Sequence, residues 1–319
     1  MRILVTGGAG AIGGSLVARL LREADVERIV VLDDLSSGFE DNLPVNPRMT
    51  FVRDSVTREE VLSRLFGEFG FDVLIHFAAN FANQSSVDHP LKDLEVNGMG
   101  TLKLFEHAVK YRVRRVVYSS SSCVYGHRDG LLHESDSEFT TETPYAATKL
   151  LGEHYAHFFY SYHGLDIVTI RFFNVYGPGE KPGPYRNVIP NFFNLAFQKK
   201  PLIITGDGNE TRDFSYVSDA VEGTLAAVRR PNIGGKVFNL GSGRETSILT
   251  IANEINRLTG NPAGVQFVSR RKWDAILRRQ ASIEKAKEYL NYEPKVFLKE
   301  GLQKTHEWFL SQSFSKVTA

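Results

Sequence analysis

The sequence predicts an α/β fold, a doubly wound parallel sheet joined to a smaller C-terminal α/β lobe. Three observations carry this. Short apolar runs alternate with helix-patterned segments as far as Phe172, a glycine-rich turn follows the first run directly, and the rhythm breaks over residues 175–185. Strands that are apolar from end to end are buried on both faces, as in a parallel sheet covered by helices.

The first run is Ile3-Leu4-Val5-Thr6. Gly7-Gly8-Ala9-Gly10-Ala11-Ile12-Gly13-Gly14 follows, then a helical pattern through Leu16, Val17, Leu20 and Leu21, and a second run over Arg28–Asp33. Strand, turn, helix and strand so closely spaced make one βαβ unit. Strands are expected at Met49–Val52, Val73–Phe77, Arg115–Ser119 and Ile167–Phe172, with helices near Arg58–Phe69, Leu94–Tyr111 and Ala146–His163. Val175–Tyr185 holds Gly177, Gly179, Gly183 and three prolines, a loop or domain junction. Beyond it the pattern suggests a helix near Ile189–Gln198, a turn at Gly206-Asp207-Gly208 and two C-terminal helices. The expected division is a nucleotide-binding body over residues 1–175, rejoined by a segment of about 213–240, and a substrate lobe over 176–319.

Composition narrows the function. The 319 residues are 42% hydrophobic and 24% charged, the balance of an ordinary globular protein with a sizeable core. Thirty-eight Lys and Arg against 37 Asp and Glu leave +1, so no nucleic-acid footprint is expected. No apolar run suits a membrane span, and the N-terminus passes into glycines rather than a secretion signal. Cys123 is the single cysteine, and no Cys/His spacing resembles a zinc site. A cytoplasmic, metal-free protein is expected.

Two motifs carry chemistry. Gly7, Gly10 and Gly13 follow a strand and open a helix, where bare backbone and the helix N-terminus can receive a pyrophosphate. Asp33 ends the second strand 20 residues after Gly13. An acid there accepts hydrogen bonds from ribose hydroxyls and repels a 2′-phosphate, which favours NAD over NADP; an ordinary turn acid beside Asp34 is the plainer reading. Tyr145 and Lys149 stand four residues apart, on one face of a helix. A lysine cation near a phenol lowers its pKa and lets it exchange protons near neutrality. The run Ser119-Ser120-Ser121-Ser122 closes a strand and could present a hydroxyl to the same substrate oxygen. Tyr-x-x-x-Lys alone is a common chance match; in this order with the glycine turn, Asp33 and the serines, it is informative.

Taken together, Thr6–Gly13, Leu32–Gly38, His76–Ala79, Asn97–Thr101, Ser119–Gly126, Tyr145–Lys149, Arg171–Gly177 and Thr205–Asp213 resemble an extended short-chain dehydrogenase/reductase. The resemblance covers nearly the whole chain and lies in the nucleotide-sugar epimerase/dehydratase branch, close to UDP-glucose 4-epimerase-like enzymes. It implies a Rossmann-type fold, bound NAD, a nucleotide-diphosphate sugar as substrate and a homodimer paired through helices near Leu94–Tyr111 and Ala146–His163. It implies Tyr145 as base, with Lys149 holding the ribose and Ser121 steadying the sugar oxygen. The implied cofactor contacts are Gly7, Gly10, Ala11, Ile12, Gly13, Asp33, Asp34, Ser36, Gly38, Asp54, Ser55, Phe77, Ala78, Ala79, Ser119, Tyr145, Lys149 and Phe172, with Asn97 as support near the nicotinamide half. The implied substrate contacts are Ser121, Tyr145, Asn174, Asn187, Val188, Arg212, Arg271 and Asp274. Guanidinium forks suit a diphosphate, and Asp213 could hold Arg212 in place; solvated surface arginines are the plainer alternative. Arg278 and Arg279 fall near the segment that controls bulk beside the hexose.

Departures from the pattern choose among reactions. The branch's 4,6-dehydratases carry Asp-Glu directly before Val-Tyr-Gly, and its decarboxylases usually keep the glutamate. This chain has Ser122-Cys123. Neither is a carboxyl acid, which disfavours both chemistries. Cys123 has no histidine partner in the sequence pattern and reads as a small packed residue. His154 and His157 read as a helix face or subunit contact rather than a metal pair. The remaining expectation is 4-epimerisation: oxidation at C4, then re-reduction from the opposite face. A 2-epimerase, a dehydrogenase, an atypical dehydratase and a non-catalytic NAD-binding regulator are the alternatives.

Overall fold

The computed structural model describes residues 1–81, 83–136 and 140–312. Ile3, Leu4 and Val5 are wholly buried, as a strand covered on both faces must be. They form β1 (Arg2–Thr6), which feeds α1 (Ala11–Leu20), β2 (Arg28–Asp33), β3 (Met49–Arg53), α2 (Glu59–Phe69) and β4 (Val73–His76). Short helices α3 (Asn83–Asp88) and α4 (Pro90–Asp93) and a π-helical turn at Leu94–Gly100 lead into α5 (Thr101–Lys110). Then come β5 (Arg115–Ser121), β6 (Gly130–Leu132), α6 (Pro144–His163), β7 (Ile167–Phe172), β8 (Asn174–Tyr176), α7 (Val188–Phe197), β9 (Leu202–Thr205) and β10 (Thr211–Tyr216). The chain continues through α8 (Val217–Arg229), β11 (Val237–Leu240), β12 (Glu245–Ser247), α9 (Ile248–Thr259), β13 (Val265–Val268), β14 (Arg278–Ala281), α10 (Glu284–Leu290) and α11 (Leu298–Ser311).

Seven strands form one parallel sheet in the order β11-β7-β5-β4-β1-β2-β3. The order reverses between β1 and β4, and the crevice at the carboxyl ends of such strands is where doubly wound sheets take ligands. A second sheet runs β12-β10-β14-β6, with β8 beside β10. β9 and β13 form a separate parallel pair. No helix among the described residues is long and apolar enough to cross a membrane.

The structure departs from the sequence expectation in three places. The helix expected from Leu94 begins as a π turn and becomes regular only at Thr101. β6 leaves the N-terminal part of the chain to pair with β14. After Gly208 the described residues form four helices and several short strands rather than two helices alone. Strands such as Glu245-Thr-Ser and Arg278-Arg-Gln-Ala are too short and polar to show a two-residue period. Residues 313–319, the end of the expected lobe, lie outside the described residues.

The placing of α6 matters most for the site. Thr143 caps it, its hydroxyl accepting from the Ala146 amide at 3.3 Å, and Pro144 takes the first helical position. A Cβ on Gly152 would stand 2.0 Å from the Tyr118 phenol oxygen, so the helix rests on β5 where only a hydrogen fits. One residue on, Glu153 receives Arg171 of β7 through two hydrogen bonds of 2.9 and 2.7 Å, and the Ser120 hydroxyl of β5 donates to the same carboxylate. Both ion-paired side chains are nearly buried.

Glu153→Ala should therefore cost about 3–5 kcal/mol, because it strands a buried guanidinium. Glu254→Ala, whose partner Arg257 is largely exposed, should cost under about 1 kcal/mol. Denaturant titration of both variants checks this; equal losses would mean that the buried pair does not seat α6.

Candidate active site

A cavity of about 750 Å³ runs from the crevice between β1 and β4 to β10 and β14 of the second sheet. Its first half is built from loops at strand ends. The Gly7 amide donates to the Leu32 carbonyl at 2.9 Å with φ of +69°, and a Cβ there would stand 2.5 Å from the Ala78 nitrogen. The loop after β1 thus lies directly on the loop after β4. Gly10 differs: a Cβ would meet nothing nearer than the Gly7 carbonyl at 3.3 Å and would stand in the cavity. Ala11, Ile12 and Gly13 follow along the wall, in a helix start with no side-chain cap and no acid in its first turn. Its leading amides are available to an anion.

Asp33 accepts from the Ala9 and Leu35 amides, each at 2.9 Å; burial pushes its pKa up and these amides oppose the shift. Asp34, Ser36, Gly38, Asp54, Ser55, Phe77, Ala78, Ala79 and Phe172 line the same half. A bare-backbone anion cradle, a carboxylate at the second strand's end and an edge-on Phe77–Phe172 pair suit a dinucleotide. Asn97 does not line the cavity with the others. It is buried behind the wall, accepting from the Asn80 amide at 2.7 Å and donating to Asp93 at 2.9 Å, so it supports the wall rather than touching a cofactor.

Midway, α6 brings Tyr145 and Lys149 to the end of β5. The Ser121 hydroxyl lies on the Tyr145 side of the cavity and accepts from the Cys123 amide at 3.2 Å, while Ser120 turns away to Glu153. The Lys149 ammonium donates to the Ser119 carbonyl at 2.8 Å and lies 5.8 Å from the Tyr145 ring centre. The expected lowering of the phenol pKa by Lys149 is not what this geometry produces. Burial raises Tyr145 above the ordinary tyrosine value and Cys123 adds to the rise, against the nearby Ser121 hydroxyl. Burial also lowers Lys149 to about 8, opposed by Asp93.

Asn174, Asn187, Val188, Arg212, Arg271 and Asp274 line the far half. Arg212 pairs with Asp274 at 3.0 Å and donates to the Ile276 carbonyl. Asp213, expected to hold Arg212, does not; it is buried and accepts from the Ser242, Gly243 and Ala281 amides. Neighbours along a strand face opposite sides, so both cannot meet. Arg271 is exposed, its guanidinium over Trp273. Cys123 is part of the cavity wall rather than a packed core residue, and takes a hydrogen bond from Asn83 at 3.5 Å. His154 and His157 are exposed on α6, and among the described residues no group of three or more candidate metal ligands occurs.

The cavity also holds residues the sequence reading did not select: Glu142, Glu180 and Trp273. Glu180 hydrogen-bonds Asn187, and burial raises it to about 7. Glu142 lies three residues before Tyr145, the one signal that could have drawn attention to it. Of the two arginines noted near the hexose, Arg278 turns outward to Glu245 while Arg279 turns into the cavity.

Residues 3–241 match the NAD dependent epimerase/dehydratase family. The chain is 38% identical to a UDP-glucose 4-epimerase of Mycolicibacterium smegmatis, over 98% of this chain and 100% of that protein. It is 32% identical to a UDP-N-acetyl-alpha-D-glucosaminuronate decarboxylase of Bacillus cytotoxicus, over 97% of each chain. Among solved structures, epimerase Mth375 of Methanothermobacter thermautotrophicus superposes with a TM-score of 0.95 at 48% identity, over 98% of this chain and 92% of that one. The UDP-glucose 4-epimerase of Thermotoga maritima, solved with UDP-glucose, gives 0.91 at 33% identity, over 98% and 99%. With this sequence match and this fold, the chain belongs to the NAD-dependent epimerase/dehydratase family, and NAD is its cofactor.

Proposed function

We propose that the protein is a UDP-sugar 4-epimerase. The observation that carries the reading is that Ser121, Tyr145 and Lys149 line one cavity, where Cys123 stands in place of the carboxyl acid of dehydratases. The 4-epimerase relatives support it. Residues 1–175 with about 213–240 would hold NAD: the leading amides of α1 at Ala11–Gly13 take the pyrophosphate, beside the bare Gly10, and Asp33 takes the adenosine ribose. The lobe from residue 176 would hold the sugar nucleotide, with its diphosphate at the start of α7 (Asn187, Val188) and beside Arg212 and Arg271.

In this scheme Ser121 and Tyr145 hold the sugar O4 between them. Tyr145 removes the O4 proton and later returns it, with Ser121 keeping the oxygen in line. Lys149 would hold the nicotinamide-side ribose. NAD held by these residues would supply the redox chemistry at C4, as hydride acceptor and then as donor. We further propose pairing with a second copy through α5 and α6, where Met99, Phe158 and Tyr162 are exposed in and beside these helices.

Incubation with UDP-glucose should give a product of unchanged mass with C4 inverted, read by NMR. Accumulating NADH would point to a dehydrogenase, and loss of one water to a dehydratase. Tyr145→Phe should lower kcat by roughly 10²–10⁴-fold while leaving NAD binding intact by calorimetry; a variant keeping more than about a tenth of the activity would need another base. NAD should bind at least about tenfold more tightly than NADP, because Asp33 opposes a 2′-phosphate, and Asp33→Ser should narrow the gap. Equal affinities in the unmodified protein would remove Asp33 from that role.

A further inference from the structure

The segment between β13 and β14 is a thin wall with the cavity on one side and solvent on the other. Arg271, Trp273 and Asp274 line the cavity, while Lys272 and Ala275 are exposed and do not. Asp274 is taken by Arg212 at 3.0 Å, and Glu210 by Arg270. Among the described residues Arg271 has no carboxylate partner; its guanidinium lies over the Trp273 ring, 5.6 Å from the ring centre. At that distance the face of an indole attracts a cation through the ring quadrupole.

The indole is itself held. Its Nε1 donates to the side-chain oxygen of Gln84 on α3 at 2.9 Å, joining positions 189 residues apart. Gln84 can present that oxygen in only one sense, because its nitrogen donates to Asp88 at 2.9 Å. α3 is fixed in turn to the start of α6. The Ser86 hydroxyl accepts from the Tyr145 amide at 3.0 Å, and Thr143 donates to Asn83 at 2.8 Å. A ring tied by its N–H to a seated helix, with a face under a long cationic side chain, can aim that side chain.

We propose that Trp273, anchored on Gln84, is a positioning residue that holds Arg271 ready for the substrate's diphosphate. The inference rests on the nucleotide-sugar reading and deepens it by naming what aims a phosphate-binding cation. Arginine loses rotamer freedom when it grips a ligand, and a guanidinium already seated on a ring has less to lose. The seat also leaves the charge unneutralised, whereas Arg212 is paired with Asp274. In this role Trp273 acts through Arg271, so its effect must vanish when Arg271 is gone.

The test is a double-mutant cycle on the full chain with NAD saturating, calorimetry giving Kd for UDP. Arg271→Ala should weaken UDP at least about tenfold. Trp273→Ala should weaken it about 3- to 30-fold, and Gln84→Ala at least about twofold. In the Arg271→Ala background, neither Trp273→Ala nor Gln84→Ala should change Kd by more than about twofold. A tryptophan that only shaped the wall would weaken UDP equally with Arg271 present or absent, and that result overturns the proposal. So does an unchanged Kd in any of the three single variants. Should Trp273→Ala not fold, Trp273→Leu removes the aromatic face while filling much of its volume, and the same cycle is read. UDP that fails to bind the unmodified protein sinks the nucleotide-sugar reading and this inference together. UDP that binds, with an additive cycle, sinks this inference alone.

Discussion

The site depends on how closely α6 can lie on the sheet. Tyr145 and Lys149 are one turn apart on that helix, but they meet Ser119 and Ser121 only if its first turns rest on the end of β5. Gly152 allows the approach, because any side chain there would collide with the Tyr118 phenol. Glu153 then locks it, joined to Arg171 of β7 and to Ser120 of β5 in one buried network. A buried ion pair adds little net stability against an apolar replacement, but its geometry admits few alternatives. Here it ties one helix to two strands, one turn beyond Lys149.

The same burial decides the electrostatics. Away from water the charged form of every titratable group is disfavoured, so Tyr145 is held as the phenol and Lys149 is eased toward the neutral amine. Asp93 works against this for Lys149. It is itself wholly buried, accepting from Thr148 and Asn97. Asn97 therefore reaches the chemistry through Asp93 rather than through a ligand.

Neither sheet makes the cavity alone. The large sheet contributes the strand-end loops and α6, and the small sheet contributes Arg212 and Arg279. The chain passes between them repeatedly: β6 crosses to the small sheet, and α8 and β11 return to the large one. A lobe stitched in this way cannot be shed or replaced without disturbing the wall of the cavity. Relatives carrying different reactions match this chain over nearly its whole length.

The cofactor half was legible in the sequence because its geometry is local. Gly7, Gly10 and Gly13 lie within one strand–turn–helix unit, Asp33 ends the next strand, and Tyr145 and Lys149 are one helical turn apart; short-range backbone rules suffice for each. The long apolar strands were equally plain, since burial on both faces leaves no polar interruption. What the sequence did not decide was every partnership between distant segments. Arg212 meets Asp274 rather than its neighbour Asp213, because a strand turns adjacent side chains to opposite faces. Lys149 reaches the Ser119 carbonyl rather than the phenol, and burial outweighs it in setting the phenol's pKa. Glu142 and Arg279 share one wall only because β14 folds back beside β6, near the start of α6. Spacing along the chain determined the glycine turn and the Tyr145–Lys149 face; only the packing of segments distant in sequence decided how the charged side chains of the far wall pair, because ion pairs such as Arg212–Asp274 depend on which strands and loops meet in space.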